Sequence, residues 1–202
     1  MEYIAHLSRD KNLKKIIDRQ QPLKLVKRKK IHLDLCGSIM SQQLSTRVAE
    51  IIQKRFLGLY GESPPSPEQI LETPVDLLRS IGLSHAKTRY IHNVARFAID
   101  AGIDHKHLKD KDNEQVIEYL TQIKGVGRWT AEMLLIFTLG REDVFAAGDL
   151  GIQQAMARLY KLDITDKKLL KEEIIQISEK WSPYRTYACL HLWRWKDNNP
   201  LK

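Results

Sequence analysis

Apolar residues recur three and four positions apart in nearly every segment of the chain, the pattern of helices that each bury one face. Leu13, Ile16 and Ile17 share such a face, with Ser8 a candidate cap and Pro22 the break that ends the helix. Ile31, Leu33, Leu35, Ile39 and Met40 supply the next face, and Val48, Ile51, Ile52 and Phe56 the one after. Ser66-Pro67 and Thr73-Pro74 each read as a cap followed by proline at the first helical position, so two short helices follow the Ser63–Pro67 loop. The turn Gly82-Leu83-Ser84 opens a helix that buries Ile91, Val94, Ala95, Ala98 and Ile99 and runs to about Ala101. Thr165-Asp166 and Ser182-Pro183 start the last two helices. No period-two apolar run bounded by hairpin turns occurs. The pattern therefore predicts an all-α protein of about ten helices.

One stretch departs from plain packing: Leu120 to Gly151, LTQIKGVGRWTAEMLLIFTLGREDVFAAGDLG. An apolar helix end, Leu120 and Ile123, meets the turn Gly125-Val126-Gly127. A second helix then runs from about Arg128 to Leu139 on Ala131, Met133, Leu134, Leu135, Ile136 and Phe137. Glycine adopts the backbone angles such a turn needs and lets another backbone come close. The first N–H groups of the second helix have no partner within it, and the positive end of the helix dipole lies there. With Lys124 and Arg128 on either side, the hairpin has the features of a clamp for a nucleic-acid backbone that reads no bases. Packing alone also explains a glycine turn between helices.

Charge points the same way. The 202 residues carry 33 Lys and Arg against 25 Asp and Glu, a formal +8, and the pI is about 9.4. That balance favours a polyanionic partner. The basic run Lys24 to Lys30 fits either phosphate contact or a solvated stretch. The basic start of the helix after Ser84, with Lys87, fits the same two readings. Two distant cysteines, Cys36 and Cys189, cannot supply the four thiolates of an iron–sulfur cluster, and they fit small apolar groups in a reducing setting. No apolar run of about 18 residues is present to span a membrane. The start of the sequence has no signal-peptide core. His105 and His107 with Asp104, Asp110 and Asp112 form a polar loop without a partner cluster, so a metal reading is rejected.

Several residues remain as candidates for chemistry. Asp149 is a lone acid after Gly148, at the start of a helix from Leu150; it is either an N-cap or a catalytic carboxylate. Gln42 and Gln43, in Ser41-Gln42-Gln43-Leu44-Ser45, suit either a surface turn or a wedge that fills a gap in a base stack. Trp181, Tyr184, Tyr187, Trp193 and Trp195 crowd fifteen residues. Trp193 reads as core filling, whereas Tyr184 and Arg185 at a helix entry face a cleft more readily.

Taken together, SQQLS at 41–45, GLSHAKTRYI at 82–91, LTQIKGVGRWTAEMLLIF at 120–137, VFAAGDLGIQQA at 144–155 and WSPYRTYACLHLWRW at 181–195 resemble, in collinear order, the helix-hairpin-helix DNA glycosylase superfamily, specifically its 3-methyladenine DNA glycosylase II family. The resemblance implies an all-α fold of two lobes, 1–38 plus 146–202 and 39–145, with the hairpin at 120–139 in the central lobe. It implies the compact form of the family, a monomer acting on double-stranded DNA that holds alkylated bases, in the bacterial cytoplasm or the eukaryotic nucleus. Asp149 falls at the catalytic aspartate. Trp129, Tyr184 and Trp181 fall at or near the base pocket. Gln43, with Gln42 as the alternative, falls at the residue that plugs the gap left by the extruded nucleotide. Lys124, Gly125, Val126, Gly127 and Arg128, with Ser84 and Lys87, fall at contacts to the DNA backbone. A sodium or potassium ion at the carbonyls of Gln122, Ile123 and Gly125 is implied, and no other cofactor. Superfamily members that also cut the strand carry a lysine two residues after the second glycine, where this chain has Trp129. The implied activity is therefore removal of alkylated purines of the 3-methyladenine and 7-methylguanine type without strand cleavage. A different lesion range, such as hypoxanthine or ethenoadenine, and a non-enzymatic DNA-binding module remain alternatives.

Overall fold

The computed structural model describes residues 1–198. Thirteen α-helices and no strand lie among them. The chain divides into two compact units, Met1–Lys27 with Leu135–Lys202, and Arg28–Leu134, so the second crossing falls inside a helix. The resemblance implied joints near residues 38 and 146. By contacts, α3 (Ile31–Ser41) packs on α4 (Thr46–Gly58) and α7 (His85–Asp100), and the 141–144 loop bonds to the last helix.

In the Arg28–Leu134 unit, α7 is the central strut. It packs against α3, α5 (Pro67–Glu72) and α6 (Val75–Ser80). Its Ile91, Val94 and Ala95 are wholly buried, and each large apolar side chain so buried contributes about 1.5–3 kcal/mol. Helices of six residues such as α5 and α6 could not persist alone. Buried Ile70 and Leu78 and a capping box at Ser66 hold them in place. Thr73 does not cap α6 as its Thr-Pro pairing suggested; its hydroxyl donates to the Gln69 carbonyl and meets Tyr60 Oη. After the short α8 (His105–Leu108), α9 (Asn113–Thr121) starts on a second capping box at Asp112 and leads through the glycine turn to α10 (Arg128–Phe137). Of the histidines before α9, His107 bonds locally, its Nδ1 meeting Asp104 at 2.7 Å, while His105 Nε2 reaches across to the Arg28 carbonyl at 2.7 Å.

The other unit gathers α1 (Glu2–Leu7), α2 (Lys11–Ile17), α11 (Leu150–Tyr160), α12 (Lys167–Glu179) and α13 (Arg185–Asn198) around one core. Asp10, not Ser8, caps α2, through the N–H groups of Asn12 and Leu13; Ser8 closes α1. Tyr160, Trp181 and Lys180 also converge on the Asp10 carboxylate, which lies below the usual range because these bonds outweigh the opposing effect of burial. Both cysteines are free and buried, and burial pushes the Cys36 thiol up to about 12.

Candidate active site

Asp149 enters its site as a helix cap. Its side chain accepts the Ile152 N–H at 2.9 Å, which satisfies one of the donors at the start of α11. The Trp193 indole N–H, from α13, donates to the same oxygen, Oδ1, at 2.8 Å. Capping and a chemical role are thus compatible, because the carboxylate is half-buried and aimed by two N–H donors. Gly151 makes room for this arrangement. A Cβ there would lie 3.0 Å from Asp149 Oδ1 and 3.2–3.3 Å from the edge of the indole.

The loop that delivers Asp149 is tied down on both sides. Asp143 takes both Arg185 Nε at 2.6 Å and Nη2 at 2.9 Å, and the Ser182 hydroxyl at 2.8 Å. Thr186 donates its backbone N–H to the Glu142 carbonyl, and its hydroxyl accepts from Val144 N–H and donates to the Arg141 carbonyl. The first N–H groups of α13 are therefore satisfied from this loop rather than by Ser182, whose bond to Pro183 is cis. Closer to the acid, the Gln153 amide donates to the Ala147 carbonyl at 2.8 Å and the Asp149 N–H to that of Ala146 at 3.0 Å.

The aromatic assignments need revision. Trp181 is 1% exposed and donates its indole N–H to Asp10; it is core and not a pocket wall. Trp193, which the sequence pattern gave to the core, does pack against it, yet is partly exposed and stacks on Phe137 at 5.7 Å and 29°. Both rings, with Leu23, Leu190, Arg194, Asp197 and Asn198, line an open cavity of about 490 Å³. Tyr184 is half-buried; its ring meets His6 and Tyr187 edge-on, and its hydroxyl donates to Glu2. Trp129 lies in the first turn of α10, 45% exposed.

The hairpin shows a division of labour between its glycines. Gly125 has φ +110°, open only to glycine, and a Cβ there would come within 2.8 Å of Tyr90 Cβ, Cγ and Cδ1. The fold itself demands this glycine. A Cβ at Gly127 would meet no heavy atom within 4 Å, and the backbone angle there is ordinary, so its bare face is open to an incoming chain. Val126 is buried and donates its N–H to the Ile123 carbonyl at 2.9 Å. Lys124 is exposed, while its carbonyl accepts from Asn93.

Two side chains expected at phosphates already have partners within the protein. The Arg128 guanidinium forks onto Glu114, with Nη1 to Oε2 at 2.9 Å, and bonds Glu132 through Nε at 3.0 Å. Glu114 is held below the usual carboxylate range by that arginine. Lys87 Nζ donates to the carbonyls of Met40, at 2.9 Å, and Gln42, at 2.6 Å, and burial lowers its pKa. Ser84 caps α7 by accepting the Lys87 N–H. Gln42 reaches the hairpin, its amide donating to the Gly125 carbonyl at 3.3 Å, whereas Gln43 is exposed.

An all-helical protein with a glycine hairpin and a capped acid beside an indole is one class of DNA-handling fold, and comparison with known proteins specifies it. Residues 36–183 match the HhH-GPD superfamily base excision DNA repair proteins. The chain belongs to that superfamily, and within it stands with the DNA-3-methyladenine glycosylases. It is 35% identical over 186 residues to DNA-3-methyladenine glycosylase 1 of Schizosaccharomyces pombe, covering 91% of this chain and 80% of that one. The crystal structure of a DNA-3-methyladenine glycosidase from Bacillus halodurans is 35% identical, with a TM-score of 0.84 over 96% of this chain and 88% of that chain. The S. pombe 3-methyladenine DNA glycosylase in complex with abasic DNA gives 0.85 at 32% identity, covering all of both chains.

Proposed function

We infer that the protein binds duplex DNA and hydrolyses the N-glycosidic bond of alkylated purines, leaving an abasic site. The observation that carries this reading is Asp149, held by the Ile152 and Trp193 N–H groups in a chain that belongs to this family. A base inside a duplex is out of reach, so the nucleotide must swing out at a cost of a few kcal/mol. Alkylation at N3 or N7 makes the purine cationic. Aromatic rings such as the exposed Trp129 and the partly exposed Trp193 favour a cation by stacking and cation–π attraction, about 0.5–2 kcal/mol. A cationic purine leaves as a neutral molecule, so it needs no proton donor. As the bond from C1′ breaks, positive charge grows on the sugar. The Asp149 carboxylate stabilises that charge and orients the water whose oxygen bonds to C1′ and whose proton passes to that carboxylate and on to solvent.

The hairpin grips the strand through the Gly127 face, Lys124 and the N–H groups that open α10, and Gln43 fills the gap left by the nucleotide. A sodium or potassium ion belongs to the same proposal. Each carbonyl has two lone pairs. Those of Ile123 and Gly125 give one each to Val126 N–H and the Gln42 amide, keep one, and with Gln122 would hold the ion, which supplies positive charge facing a phosphate. The protein is proposed to act as a monomer, in the cytoplasm or nucleus according to its source; among the described residues no helix is long and apolar enough to cross a membrane.

The test is release of methylated purines from alkylated duplex DNA by the wild type and Asp149→Asn. Asparagine caps a helix about as well as aspartate, so the variant keeps the fold and removes only the charge. A rate loss of roughly 10²–10³-fold with DNA binding retained is expected. Equal release by both proteins rules Asp149 out; binding by both with release by neither makes the protein a binding module. Single-lesion duplexes carrying hypoxanthine or ethenoadenine settle the lesion range.

A further inference from the structure

Gln43 is one of two non-glycine residues with positive φ among the described residues, at +57°. It is the third residue of a four-residue turn. Gln42 has φ −53° and ψ 130°, and the Leu44 N–H closes on the Ser41 carbonyl at 3.2 Å. This is a type II turn, whose third position ordinarily calls for glycine or asparagine. A strained residue persists only where its surroundings over-determine it, and such strain collects at functional sites.

The surroundings here are specific. Lys87 crosses from the first turn of α7 and donates to the Met40 and Gln42 carbonyls, two of the acceptors left over where α3 ends. An ammonium at that end also complements the helix dipole. On the other side, Gln53 donates to the Ser41 hydroxyl at 2.9 Å and the Gly37 carbonyl at 3.2 Å. The Gln42 side chain then ties the turn to the Gly125 carbonyl of the hairpin. The turn, the start of α7 and the hairpin are thus joined by hydrogen bonds within one unit.

We propose that Lys87 is a positioning residue: it clamps the 41–44 turn, holds Gln43 in its left-handed conformation aimed at the base stack, and with Gln42 couples that wedge to the backbone-gripping hairpin. This rests on the reading of Gln43 as the residue that occupies the vacated space.

The experiment uses the full chain with Lys87→Met, which keeps the aliphatic stem and removes the donors. In the free protein, exchange of the Leu44 amide should quicken by roughly tenfold or more, the equivalent of about 1.4 kcal/mol; unchanged exchange overturns the clamp. The salt dependence of binding to undamaged duplex should keep its slope, whereas a phosphate contact would make it shallower by about 0.9 and overturn the assignment. At a lesion flanked by 2-aminopurine, the flipping signal and single-turnover excision should fall together by roughly tenfold. A loosened turn with flipping and excision intact overturns the positioning role. Wild-type protein that releases no alkylated purine sinks the activity reading alone, since the exchange and salt measurements do not depend on it. If Lys87→Met fails to fold, Gln42→Met cuts the tie to the hairpin while sparing the main-chain carbonyls: Leu44 exchange should quicken and flipping and excision should fall together, with the salt slope again unchanged; no change in exchange, flipping or excision overturns the coupling.

Discussion

Replacing Trp193 by phenylalanine isolates what the indole N–H does for the acid. The substitution keeps an aromatic ring beside Phe137 and deletes the donor that meets Asp149 Oδ1 at 2.8 Å. A hydrogen bond to a charged group contributes about 1.5–3 kcal/mol. At about 1.4 kcal/mol per factor of ten, that corresponds to roughly 10- to 150-fold in rate if all of it is felt in the transition state. The Ile152 N–H still holds the same oxygen, and Trp193 is partly exposed, so water can replace the lost donor. The low end, roughly tenfold, is therefore expected. The assay is single-turnover release of 7-methylguanine from methylated duplex at saturating enzyme, with binding to an abasic analogue measured in parallel. A rate within about twofold of wild type, at unchanged binding, would refute the claim that this N–H orients the carboxylate. A loss of binding with the chemical rate preserved would instead make Trp193 only a wall for the base.

Gly151→Ala should act on the same pair by pressing a methyl group between Asp149 and Trp193, lowering excision more than it lowers the melting temperature; an unaffected rate would show that the indole can yield. The two hairpin glycines should separate: Gly125→Ala destabilises by roughly 2 kcal/mol or more in urea unfolding, through backbone strain and collision with Tyr90. Gly127→Ala should leave the unfolding midpoint in place and weaken binding to all DNA sequences alike, and a sequence-selective loss would contradict a backbone grip. Acid should weaken the fold through His191, which is fully buried with Nδ1 on Gln20 and whose pKa burial lowers from 6.5 to about 4. The unfolded chain then binds the proton that the folded one refuses, so stability present above pH 6.5 is lost as pH falls toward 4, by about 2 kcal/mol at pH 5. His191→Gln should flatten that part of the stability profile.

How much of this could be read from the sequence depends on what each residue's surroundings leave open. The hairpin was legible because a turn at φ +110° admits little but glycine. Asp149 was legible as a lone acid at a helix start, and it proves to be the cap that the simpler reading required, with the indole added. The aromatics of α13 were not legible. Its apolar residues run all round the helix, so spacing assigns no face to Trp193, which packs against the core and is still partly exposed; Trp181, just before the helix, is wholly buried. Charge left another matter open. Lys87 and Arg128 look like phosphate ligands in a basic sequence, and the fold pairs one with carbonyls and the other with carboxylates, partners that sequence spacing does not show. Gly151 left a signal that could have been used: a glycine inside the first turn of a helix, two residues after an acid, weakens the helix unless something must come near.

The anchored loop before α11 has a further consequence for the kind of selectivity the protein can exercise. Asp143, Arg185, Thr186 and Gln153 tie down the loop that leads to Asp149, so on the proposed reading the acid would not discriminate by swinging into place only for the right guest. Sorting would then fall to the guest itself. Bases already loosened by a positive charge would depart quickly, while an intact guanine that strayed into the site would outlast its visit.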